Sequence, residues 1–146
     1  MTRGRWIKTT ASVLAVVAVT VYLHDPPWSG GVTSGLRPWE QDPPGTFFRW
    51  TAGRATFFVP SGATTMTVPL RAVFPGPNGT PVKVEMRDDG RLLATIDLSD
   101  PDAWIRTTVP LKHYEGRRRF RRIDLRISRV VPPFALGVMT GEVVVR

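Results

Sequence analysis

The sequence predicts an all-β protein: a single β-sandwich, jelly-roll-like and of about eight strands, preceded by an N-terminal transmembrane helix. Three observations predict it. An uncharged, mostly apolar run occupies residues 9–23 behind a basic flank. Beyond residue 46, short apolar runs alternate with polar residues at a period of two, as half-buried strands do. The 13 Gly and 14 Pro fall largely between these runs, where turns belong. The chain divides accordingly into a basic flank and signal-anchor helix over 1–24, a Pro/Gly-rich linker over 25–45 and the sandwich over 46–146. The last segment is long enough for one core and not for two.

Arg3, Arg5 and Lys8 precede the apolar run, which contains Val13-Leu14-Ala15-Val16-Val17-Ala18-Val19. A positive flank before an apolar stretch is the pattern of an export signal or a signal anchor, and it places the N-terminus in the cytoplasm. The run covers about 22 Å as a helix, against a hydrocarbon core of about 30 Å. Trp6-Ile7 and Tyr22 would extend it to the interfaces, with Lys8 snorkelling. Ala18-Val19-Thr20 matches a cleavage site poorly, so an uncleaved anchor is the first reading and secretion after cleavage the alternative. The sequence then predicts a single-pass cell-membrane protein with an extracytoplasmic domain. Asp25-Pro26-Pro27 ends the helix, and Pro38 and Pro43-Pro44-Gly45 keep the following segment extended.

Residues 47–51 and 55–59 read as two strands around Ala52-Gly53. Met66, Val68, Leu70, Ala72 and Phe74 alternate with Thr67, Pro69, Arg71 and Val73, which marks one buried and one mostly exposed face. Pro69 lacks a ladder donor, so this strand is an edge or is bulged there. Val82, Val84 and Met86 alternate with Lys83, Glu85 and Arg87. Asp88-Asp89-Gly90 then turns the chain into a strand over 91–98, since Asp-Gly between apolar runs is a hairpin signal. Further strands follow at 104–111, at 123–127 on Ile123, Leu125 and Ile127, and at 142–146. Strands at this spacing suggest a sandwich.

Composition excludes whole classes of function. The absence of Cys removes disulfides, Cys-ligated zinc and thiol catalysis together. The two histidines, His24 and His113, cannot complete a His-rich metal site, and no nucleophile elbow accompanies His113. Asp100 and Asp102 are turn formers, or contributors to Ca²⁺ binding. No catalytic residue, metal site or cofactor is predicted, and the chain is not expected to be an enzyme. The net charge of +8 is carried by Arg, with Lys only at positions 8, 83 and 112. An Arg bias of this kind fits a GC-rich bacterial genome. It favours anionic partners without naming one.

The segment Gly35-Leu36-Arg37-Pro38-Trp39-Glu40, followed by Phe48-Arg49-Trp50-Thr51, an apolar strand ending in Pro60 and the Asp88-Asp89-Gly90 hairpin, resembles a loosely defined bacterial envelope β-sandwich module. That module often accompanies glycosyltransferases. The resemblance spans residues 35–110. It implies a galactose-binding-like sandwich with an accessory or carbohydrate-binding role in cell-envelope glycan assembly, and it implies no catalytic centre.

Two constellations are candidate sites. Glu40, Arg49 and Trp50, with Trp104 as a second exposed indole, suit a sugar: a Trp face stacks on C–H groups while Glu and Arg hold hydroxyls. The alternative is that Glu40 pairs with Arg49 to pin the linker while Trp50 joins the core. Arg117, Arg118, Arg119, Arg121 and Arg122, around Phe120, suit phosphates of lipid or of an anionic polymer. Their alternative is a solvated loop whose charge protects a strand edge. An extracytoplasmic domain makes nucleic acid an unexpected partner. The partners expected are therefore the membrane and a glycan or an envelope protein.

Overall fold

The computed structural model describes the backbone of residues 3–146 and the side chains from residue 10 onward. The expected roles of Arg3, Arg5, Trp6, Ile7 and Lys8 lie outside the described side chains. Helix α1 (Arg3–His24) is followed by a short 3-10 turn at Pro27–Gly31. Ten strands follow: β1 (Ser34–Leu36), β2 (Glu40–Gln41), β3 (Phe47–Pro60), β4 (Thr65–Arg71), β5 (Val82–Asp88), β6 (Arg91–Leu98), β7 (Ile105–Pro110), β8 (Phe120–Ile127), β9 (Met139–Thr140) and β10 (Val144–Val145). The all-β sandwich stands.

The transmembrane helix does not. Among the described residues no helix is long and apolar enough to cross a membrane. The uncharged run of α1 spans about 22 Å and falls short of the hydrocarbon thickness. Thr10, Ser12 and Thr20 dilute it further, and the Thr20 hydroxyl bonds back to the Val16 carbonyl at 2.8 Å. The single-pass, cell-membrane location rested on that span and is corrected with it.

Strand β3 organises both layers. Its second half, from Arg54 to Pro60, pairs antiparallel with β8, and β8 with β5, and β5 with β6. Its first half pairs with β2 and, through Arg49 and Trp50, with β9, which leads on to β4. The two strands expected around Ala52-Gly53 are therefore one continuous strand. Gly53 sits mid-strand, where a Cβ would meet Val130 at 3.2 Å. Thr51 marks the change of layer. Its N–H donates to the Val138 carbonyl at 2.8 Å, its carbonyl accepts from Gly137 at 2.7 Å, and its hydroxyl accepts from the Val138 N–H at 2.9 Å.

The core forms where the buried faces of both layers meet. Ala55, Phe57 and Val59 of β3, Val84 and Met86 of β5, and Ile123 and Leu125 of β8 face Met66, Val68 and Leu70 of β4 and Val109 of β7. Every one lies in an alternating run, so the period of two is the burial pattern itself. The Asp88-Asp89-Gly90 hairpin also stands: Asp89 and Gly90 both have positive φ, at 45° and 88°, as a two-residue hairpin turn matched to strand twist requires.

Pro69 is not on an edge strand. β4 lies between β7 on one side and β9 and β10 on the other. The Pro69 carbonyl accepts from Gly141 at 3.0 Å, so its donorless nitrogen faces the same side. There the partner strand is interrupted, with β9 ending at Thr140 and β10 starting at Val144. Neither the edge nor a bulge of β4 is observed, since its register with β7 runs unbroken through Pro69; the missing N–H is accommodated by the gap in the partner strand instead. The 25–45 segment carries β1 and β2 and packs on the sandwich, so it is built into the fold rather than spacing it.

Candidate functional site

The four residues expected to form one sugar site separate. Glu40, in β2, is exposed opposite Phe48, and among the described residues it forms no ion pair with Arg49. Arg49 instead lies over the exposed Trp39 ring, 4.7 Å from its centroid. The indole face attracts the cation. Burial lowers the Arg49 pKa from its ordinary value, and Nε of this side chain is buried without a hydrogen-bond partner. Trp50 is half-buried, stacked on Phe74 at 5.8 Å and 20° and edge-on to Phe48 at 6.2 Å. One of its faces is thus covered by Phe74.

Trp104 lies elsewhere, on the second layer. Thr67 and Pro69 are the outward residues of β4, and the register sets Arg106 beside Pro69 and Thr108 beside Thr67. Across this outer face runs a groove of about 380 Å³. Pro69 and Gly141 meet on it, a Cβ on Gly141 lying 3.2 Å from Pro69 Cβ and 3.9 Å from Trp104 Cζ3. Trp104 and the exposed Phe47 contribute aromatic rings, while Arg106, Glu142 and Thr67 contribute polar groups. The loop before Trp104 is fixed by Arg71, whose Nε donates to the Pro101 carbonyl at 2.7 Å and whose Nη2 pairs with Asp102 at 3.4 Å. Asp100 accepts from the Asp102 N–H at 2.9 Å. Both aspartates thus serve the turn. The period-two pattern of β4 marked Pro69 and Thr67 as outward, but nothing local in the sequence brings Phe47 and Glu142 beside Trp104.

The arginine cluster divides as well. Arg121 is 1% exposed because it continues the inward face of Ile123 and Leu125. It pairs with the buried Asp88 at 3.2 Å. Its guanidinium also donates to the carbonyls of Lys112 at 2.8 Å, Ala63 at 3.3 Å and Ser61. Its outer side covers the Tyr114 ring at 5.3 Å. A buried Arg held this way organises the loop over 111–119 and is not available to an external anion. Arg122 is tied to Asp124 at 2.9 Å, and Arg119 to Asp25 at 3.4 Å, with the Arg119 N–H also on that carboxylate at 3.0 Å. Arg117 and Arg118 are exposed. The missed residue is Asp88. It belongs to the Val82-Val84-Met86 alternation, which places it inside.

No protein-family profile matches the chain, and no curated protein matches it. Solved structures do. A family 6 carbohydrate-binding module is 15% identical, with 78% of this chain and 85% of that one covered and a TM-score of 0.49. CsCBM6-3 from Clostridium stercorarium, in complex with cellobiose, is 15% identical over 78% and 85%, with a TM-score of 0.46. A family 6 module from Clostridium cellulolyticum, in complex with xylose, is 11% identical over 81% and 92%, with a TM-score of 0.47. These neighbours are carbohydrate-binding modules. Likeness at this level assigns no ligand to this chain.

Proposed function

We propose that the chain is a non-catalytic carbohydrate-binding module whose site is the Trp104 groove. The observation that carries this is the composition of the groove: an aromatic and apolar surface from Trp104, Phe47 and Pro69, with Arg106 and Glu142 placed on it and unpaired among the described residues. A pyranose has the same two-sided character. Its C–H face packs on an indole, and its hydroxyls both donate to a carboxylate and accept from a guanidinium. Glu40, Arg49 and Trp50 give the weaker site, because Trp50 is covered by Phe74 and Arg49 is engaged with Trp39. The setting we propose, an accessory role in cell-envelope glycan assembly beside glycosyltransferases, is supported by the Gly35–Glu40 and Arg49-Trp50-Thr51 resemblance.

The test is calorimetric titration of the chain with neutral oligosaccharides, cellobiose among them. Binding should be insensitive to salt, since no charge is transferred from solvent. Trp104→Ala should weaken it about tenfold or more with the unfolding midpoint kept, and Trp50→Ala should leave affinity nearly unchanged. Binding lost in Trp50→Ala but kept in Trp104→Ala would move the site to the other tryptophan and reject the groove.

A further inference from the structure

The outer face of the other layer carries a charge arrangement that the glycan groove does not use. Along β3 the outward residues are Arg54, Thr56 and Phe58, and along β8 they are Arg122, Asp124 and Arg126. The register sets Arg54 directly opposite Arg126. Like charges directly opposite in an antiparallel pair repel, because their Cα atoms stand only about 5 Å apart.

The remaining basic residues of this face are neutralised by neighbours. Lys83 pairs with Asp97 at 3.1 Å, Arg87 with Glu85 at 2.9 Å, and Arg122 with Asp124 at 2.9 Å. Glu85 stands opposite Arg126 on the next strand, yet its carboxylate oxygen Oε2 is taken twice by Arg87, at 2.9 and 3.2 Å. The other carboxylate within reach, Asp124, is held by Thr56 at 2.7 Å and by Arg122 at 3.0 Å. The side chains of Arg54 and Arg126 are therefore exposed, adjacent and, among the described residues, without an ion pair or hydrogen bond.

We propose that Arg54 and Arg126 form a clamp for the anionic groups, carboxylate or phosphate, of a polysaccharide. Two guanidinium forks on neighbouring strands offer convergent donors to one anion, and a planar fork matches carboxylate and phosphate oxygens alike. A bound anion turns the mutual repulsion of the pair into shared attraction, which accounts for two like charges being left facing each other. The clamp lies on the outer face of the layer containing β8 and the groove on the outer face of the layer containing β4, so the two sites point away from each other. The clamp is independent of the groove.

The experiment titrates the full chain at low salt with polygalacturonate, with inorganic polyphosphate and with neutral dextran. Binding to either polyanion and not to dextran is expected, and the tighter of the two names the group. Arg54→Gln/Arg126→Gln should lose that binding at least tenfold, while Arg117→Gln/Arg118→Gln and Trp104→Ala should stay within about twofold of the parent. The unliganded Arg54→Gln chain should melt no lower than the parent, since the substitution removes a repulsion. Polyanion binding unchanged in the double variant, its loss in Arg117→Gln/Arg118→Gln instead, or no binding to either polyanion would overturn the clamp. The Trp104→Ala arm keeps the fate of the clamp separate from that of the groove.

Discussion

The most informative residue is Arg121. In sequence it is one of five arginines in a run of six; in the structure it is a buried hub joined to Asp88 and three carbonyls. Arg121→Met should therefore cost about 3 kcal/mol, because the buried Asp88 would keep only its longer pair with the exposed Arg91, at 3.5 Å, and three carbonyls would lose their donor. Replacing the exposed Arg117 or Arg118 by Ala should move stability by no more than about 0.5 kcal/mol. Urea unfolding of the three variants checks both, and equal effects would contradict the division of the cluster. The distinction was legible in principle. Arg121, Ile123, Leu125 and Ile127 share one parity, and that parity is inward. The density of charge hid the period. Trp50 shows the opposite limit. Nothing near it in sequence announces Phe74, more than twenty positions on and stacked against it.

At the scale of elements, alternation made β4, β5 and β8 readable, and the Asp-Gly turn announced β6 and how it meets β5. The short strands β1 and β2 were not readable. They have three and two residues, too few for any period, and they exist because β3 is there to pair with them. The groove was half legible: Trp104 was a candidate from its type, but most of its partners come from three other segments of the chain. The continuity of β3 depends on Thr51. Thr51→Val should cost about 1–3 kcal/mol, because the buried Val138 N–H loses its acceptor while the shape is nearly kept. A much smaller loss in chemical denaturation would mean that another acceptor reaches Val138. Gly35→Ala should be more damaging: its φ is +65°, and a Cβ would overlap the Arg54 carbonyl where β1 crosses β3.

At the scale of the whole molecule, α1 and the sandwich contribute unequally. The described side chains of α1 are exposed along its length, whereas Asp25 and Gly30 already touch the sandwich through Arg119 and Phe120. Removing residues 1–24 should leave the unfolding midpoint within a degree or two (about 0.5 kcal/mol) of the full chain. A cut after residue 33 should lower it clearly, and thermal unfolding of both fragments is the check. The shared strand has a consequence in time. Because β3 is a rung of both sheets, neither layer can open while the other stays closed. Amides of β4 and of β8 should exchange for deuterium together, in one sweep whose free energy is that of global unfolding, rather than layer by layer.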